Sequence, residues 1–216
     1  VVIANYFFDS IPFELIRIKE GTLSNSFVTV KSAVKDVNPG NIPLNEIELQ
    51  YQFETIDKSN FENAYYNDIL NEYLAAIPNT YLPFPKGSLD CIKRLQGLSK
   101  CGMMLLTMDK GFQHLSLLNN RPLPEWITHG SFSFSVNYHA FIRFCELSGG
   151  KAMFSNFSNF HLEVGCLLFM ENSSSFSNVH EAFRLHVDDF GPDDFYNIIN
   201  YGCENAQTLK IEEIIV

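Results

Sequence analysis

Hydrophobic positions along the chain fall into two kinds of run. The first kind is continuous: Val1-Val2-Ile3-Ala4 at the start, and Met103-Met104-Leu105-Leu106-Thr107-Met108 much later. Each has the length of a strand and no polar alternation. That pattern predicts strands buried on both faces of a parallel sheet. Each run ends in polar residues, Asn5 and Asp9 after the first and Asp109-Lys110-Gly111 after the second. Ligands of open parallel sheets sit outside the carboxyl ends of the strands, so these two ends are expected to meet at a site. A buried opening strand also needs neighbours, and the chain is therefore expected to be a piece of a larger protein.

The second kind of run alternates. Phe13-Glu14-Leu15-Ile16-Arg17-Ile18 and Phe27-Val28-Thr29-Val30 predict a β-hairpin turning near Gly21. Residues 37–43 hold two Pro and a Gly and read as a loop, and 47–56 read as a third antiparallel strand. From 61 to 77 the spacing becomes helical, through Tyr65, Ile69, Leu70, Tyr73, Leu74 and Ile77, and Pro78 ends it. Pro83 and Pro85 set off a second helix over 88–98. Helix between two continuous apolar runs is the β–α–β pattern.

After a loop over 119–131, a helix is predicted over 136–147, stopped by Gly149-Gly150. Residues 151–154 and 161–170 read as two closing strands around an Asn/Ser turn. The Ser-rich stretch 171–178 reads as exposed, with a short helix over 180–184. Pro192, Asp193 and Asp194 open a last helix over 195–202, with the acids at its positive end and Gly202 as its stop.

Composition narrows the function classes. The 216 residues are 46% hydrophobic and 19% charged, the proportions of a globular domain, with 20 Phe and one Trp. A net charge of −10 argues against nucleic-acid binding, which needs a basic face. No run approaches the roughly 20 apolar residues of a membrane helix, so no membrane partner is expected. Cys91, Cys101, Cys145, Cys166 and Cys203 are widely spaced and contain no CxxC. Free buried thiols in a reducing compartment are expected, hence a cytoplasmic protein.

Among candidate catalytic residues, Asp109 suits a general base or a substrate-orienting carboxylate, and equally an N-cap with Gly111 in the turn. Asn5 and Asp9 suit either a site or the capping of the following turn. His129, Ser131, Asn137 and His139 form a polar, aromatic stretch that could line a pocket, with Lys110 at the neighbouring strand end. Ser131 lacks a G-x-S-x-G elbow, which argues against hydrolase chemistry. The six His show no metal-ligand spacing; His180, His186, Asp188 and Asp189 read as an exposed acidic loop. No metal is expected.

Three stretches carry a family resemblance: "IANYFFDSIP" from Ile3, "YLPFPKGSLDCIKRLQGLSKCGMMLLTMDKGF" from Tyr81, and "HGSFSFSVNYHAFIRFCELSGGKAMF" from His129. In this order, over about half of the chain, they resemble the MidA-like S-adenosylmethionine-dependent methyltransferases, the latter two a bacterial branch of them. The family's Glu after Asn is Tyr6 here, and its Asp-Tyr-Gly is Asp109-Lys110-Gly111.

The resemblance implies an α/β fold, a class I methyltransferase-like (Rossmann-like) partial sheet with an inserted β-hairpin and helices. It places the methyltransferase-like part over 1–170, with the insertion over about 13–100, and a C-terminal helical extension over 171–216. The family's glycine-rich cofactor loop and acidic ribose ligand are expected ahead of Val1. The implied cofactor is S-adenosyl-L-methionine, held in the full-length protein by Asn5, Tyr6 and Pro12. Asn5, Asp9 and Asp109 are the implied catalytic residues, and Lys110, His129, Ser131, Asn137 and His139 the substrate pocket. The implied acceptor is a protein side chain of the arginine type, which the acidic net charge suits. The alternative is a non-catalytic assembly or scaffold protein built on a degenerate methyltransferase fold.

Overall fold

The first strand, β1 (Val2–Asn5), runs parallel to a strand that arrives much later, β6 (Met103–Lys110), with Val2 opposite Leu105 and Asn5 opposite Met108. The computed structural model describes residues 1–32, 46–56, 61–124, 127–128, 132–156, 162–170, 176–189 and 192–205. Between β1 and β6 the chain builds a second sheet. It comprises β2 (Glu14–Lys19), β3 (Thr22–Ser32), β4 (Ile47–Thr55) and β5 (Asn79–Phe84), in the order β4-β3-β2-β5 and antiparallel throughout. Two helices belong to the same stretch, α1 (Ala64–Ala76) and α2 (Lys86–Gln96).

After β6 come a short β7–β8 pair (Ile127–Thr128 and Phe132–Ser133), α3 (Tyr138–Leu147), β9 (Lys151–Phe154) and β10 (Leu162–Phe169). The main sheet has the order β1-β6-β10-β9. Strand β10 is antiparallel to both its neighbours, so β1, β6 and β9 share one direction and β10 opposes them. The protein is thus α/β with a mixed four-stranded main sheet. Helices α4 (Ser177–Phe183) and α5 (Pro192–Asn205) are the last described elements, with a π-helical turn over Arg184–Asp188 between them.

One continuous core joins the two sheets. Ala4, Leu105, Leu167 and Phe169 of the main sheet pack with Ile16, Ile18, Leu82 and Phe84 of the second, through Tyr66 and Tyr73 of α1 and Phe141 and Phe144 of α3. On the opposite face Cys166, Leu168, Met104 and Met153 meet Phe183 and Val187. Among the described residues no helix is long and apolar enough to cross a membrane.

The hairpin turn falls at Glu20-Gly21, both with positive φ, as a tight two-residue turn requires. Gly149, at φ 77°, stops α3, and the Gly150 amide returns to the Cys145 carbonyl.

Four expectations are corrected. Strand β1 is not buried on both faces: Ala4 packs into the core, whereas Val1 and Ile3 stand 83% and 75% exposed, because successive side chains point to opposite faces and neither core cluster includes Ile3. Residues 79–84 form a strand, β5. Its Pro83 is tolerated because β5 lies at the sheet edge, where a missing N–H breaks no ladder. Helix α5 runs through Gly202 to Asn205 instead of ending there. All five cysteines are free, but only Cys145 and Cys166 are buried, while Cys101 and Cys203 are exposed. The predicted loop at 37–43 lies outside the described residues.

Candidate functional site

The parallel pairing of β1 with β6 brings their polar ends side by side. Past Asn5 the chain turns sharply: Tyr6 takes a left-handed backbone, φ 49°, and its amide binds the Met108 carbonyl at 2.9 Å. Three successive amides then converge on one oxygen. Asp109 Oδ2 accepts the N–H groups of Phe7 at 3.0 Å, Phe8 at 2.9 Å and Asp9 at 3.3 Å. Asp109 is fully buried, and its Oδ1 has no hydrogen-bond partner among the described residues. Burial, and secondly the charge of Asp9, push its carboxyl up to about 6, against the downward pull of the three amides. The carboxylate thus holds the turn after β1. That is the capping role, performed on a segment remote in sequence.

Polar groups continue inward from this edge. Thr107 and Tyr138 share a buried hydrogen bond of 2.9 Å. Glu163, opposite Asp109 on β10, is buried and accepts from Gln113 Nε2 at 2.9 Å; that amide also donates to the Ser155 carbonyl.

Asp9 lies on the outer side of the turn, where its Oδ1 accepts from Ser10 Oγ at 2.9 Å and its carbonyl accepts from the Phe134 amide. It borders a cleft of about 500 Å³ between the turn and the second sheet. Glu14 of β2 shares the cleft, with Phe13, Phe134, Tyr51 and Pro12 as walls. Phe13 and Phe134 meet edge to face, 5.1 Å between centroids. The cleft joins two carboxylates to aromatic and apolar surface, a lining suited to a cation with an apolar stem.

The remaining candidates divide. Asn5 and Tyr6 are exposed at the end of β1, outside this cleft, whereas Pro12 is in it. Lys110 is exposed at the end of β6. Asn137 caps α3, its Oδ1 accepting the Ala140 amide at 3.2 Å, and borders a small crevice beside Asp9. His139 points elsewhere, to the α1–α3 contact, with Nδ1 3.0 Å from the Tyr73 hydroxyl. Burial pulls its imidazole below the usual range. His129 and Ser131 lie outside the described residues. So do His161 and part of the Ser-rich 171–178 stretch.

Glu14, Tyr51, Phe134 and the buried Glu163 were not singled out from the sequence. Glu14 and Tyr51 read as ordinary positions of alternating strands, and nothing local marks their convergence.

Comparison with family models, with curated proteins and with solved structures gives no match to this chain. Function therefore rests on the site. Among the described residues no group of three or more His, Cys, Asp or Glu is arranged to hold a metal ion. Asn5 offers an amide, and exposed Tyr6 and Phe7 offer aromatic faces to a cation.

Proposed function

We propose that this chain carries the acceptor side of an S-adenosylmethionine-dependent methyltransferase acting on a cationic protein side chain of the arginine type. The observation that carries the reading is the cleft at the carboxyl edge of β1, which Asp9 and Glu14 line together with aromatic walls. The main sheet supports it. The order β1-β6-β10-β9, with β10 reversed among three co-directional strands, fits the later half of a class I methyltransferase sheet.

Asn5, Tyr6 and, from the cleft side, Pro12 would hold the cofactor, which supplies an electrophilic methyl group when bound. The protein's own part is positioning. Asp9 and Glu14 attract and orient the guanidinium, and the aromatic walls exclude water from its stem. Asp109 fixes the turn that carries Asp9. Methyl transfer of this kind gains mainly from alignment and desolvation, so few reactive groups are needed.

The test uses the full product of the gene, methyl-tritiated S-adenosylmethionine and an arginine-rich peptide. Label in the peptide, lost in Asp9→Ala at unchanged melting temperature, is the expected result. A folded protein that leaves the peptide unlabelled overturns the reading. The scaffold reading keeps one observation of its own: Asp109 Oδ2 is wholly engaged by backbone amides, a purely structural use of that residue.

A further inference from the structure

Beside the acidic cleft lies a second slot of about 340 Å³. The two share Phe13, Phe134 and Pro124 as a common wall. Among the described residues that line it, the one charged side chain is Arg121.

Arg121 is built in. Its amide donates to Thr80 Oγ1 at 3.3 Å and its carbonyl accepts from the Tyr81 amide at 3.2 Å, which ties the residue to β5 on both sides. Its guanidinium lies over the Phe112 ring, 3.6 Å from the centroid, so one flat face is covered and the edges are left for hydrogen bonding. Of its five N–H donors, one is engaged among the described residues, weakly, Nη1 with the Leu117 carbonyl at 3.4 Å. Arg143 and Arg184 each hold carboxylates, but no carboxylate among the described residues pairs with Arg121. Burial also pulls its pKa down. In a chain of net charge −10, a half-desolvated cation lining a cavity with no acid partner among the described residues is unusual.

We propose that this slot is a carboxylate subsite, so that cleft and slot together take a peptide with a basic side chain close to an acidic one. The anion is a carboxylate because a planar guanidinium edge matches it in bidentate fashion, and the slot offers one cation for one negative charge. Pro83, Pro122 and Pro124 give the slot a stiff apolar lining that fixes its shape. The placement of the basic side chain rests on the acceptor-cleft reading above; the carboxylate subsite itself does not.

The test is calorimetric titration of the 216-residue chain at low salt with blocked peptides. The probes are Gly-Arg-Glu-Gly and Gly-Arg-Gly-Glu-Gly, their Glu-to-Gln counterparts, and Gly-Gln-Glu-Gly as a purely acidic probe. At one spacing the Glu peptide should bind about tenfold tighter than its Gln counterpart, the scale of one charge-assisted hydrogen bond. Arg121→Gln should erase that factor and leave the Gln peptide's affinity unchanged. Arg121→Lys, which keeps the charge and loses the planar fork, should retain part of it and controls for folding. Equal affinities of Glu and Gln peptides at both spacings overturn the subsite, as does a factor that survives Arg121→Gln. If the acidic probe binds through Arg121 but the Arg side chain adds nothing, the subsite stands and the acceptor-cleft reading falls.

Discussion

Asp109 holds the amide nitrogen of Phe8 at 2.9 Å, linking the end of β6 to the turn after β1. Its Oδ2 satisfies Phe7 and Asp9 as well, so one carboxylate replaces the partners that three consecutive donors would otherwise find in water. Asp109→Ala strands those donors and should cost about 2–3 kcal/mol of stability, read from urea unfolding.

The same carboxylate makes stability depend on pH. Its pKa lies near 6 in the folded chain against 3.8 ordinarily, so the folded state binds its proton more tightly. The stability it contributes is therefore full below about pH 4 and is lost as pH rises through about 6. Unfolding midpoints measured at several pH values should show this slope in the native chain and lose it in Asp109→Asn. Parallel pH profiles of the two chains would assign the slope to another group.

Asp9 is the second cause of that raised pKa and also borders the cleft. Asp9→Asn should move the Asp109 carboxyl back toward the ordinary range, visible in a carbon-13 carboxyl titration. On the proposed methyl-transfer reading, Asp9→Ala should lower turnover per folded molecule by about a hundredfold, the scale of a misplaced reacting group. A turn cap alone would instead cost about 0.5–2 kcal/mol of stability and leave that rate intact.

Gly111 brings backbone and ring into close approach. A Cβ there would lie 2.5 Å from the Val136 carbonyl oxygen and 2.6 Å from the Tyr138 ring. The carbonyl accepts the Phe112 amide and cannot swing aside freely. Gly111→Ala should cost about 1–3 kcal/mol, as overpacking does, and lower the melting temperature.

His139 should be neutral through most of the working pH range. Its folded pKa lies below 6.5, so its stabilising contribution is present above about 6.5 and is lost as pH falls through the folded value. Proton–nitrogen NMR should place its titration below 6.5. Tyr73→Phe removes its 3.0 Å partner and should cost about 1 kcal/mol. A midpoint above 6.5 would mean an acid faces the ring instead.

Local signals in the sequence carried the elements whose determinants are local. The Glu20-Gly21 turn, the alternation in β2 and β4 and the Gly149 stop all depend on nearest neighbours. Strand β5 escaped because its prolines signal a break, and only its place at a sheet edge makes them harmless. The one-sided burial of β1 escaped because its apolar run reports its own composition and not what packs on each of its faces. The meeting of Asn5 and Asp109 at one edge followed from two runs ending alike. The fixing of Phe7, Phe8 and Asp9 by Asp109, and the sharing of one cleft by Asp9 and Glu14, depend on register and on the stacking of two sheets, which no window of sequence records.

The late arrival of β6 has a consequence for how the chain assembles. The second sheet grows through neighbouring strands, β2 into β3 across a two-residue turn, and needs little loop closure at the outset. The ladder from Val2–Leu105 to Asn5–Met108 instead closes a loop holding that whole sheet and two helices. Closing so long a parallel connection is slow, because the chain gives up its freedom before the contacts repay it. The inserted sheet and helices should therefore form first and carry the two ends of β1 and β6 toward each other. The Asp109 carboxylate would then reach the Phe7–Asp9 amides only in the last stage of folding, which makes the candidate site a late product of assembly.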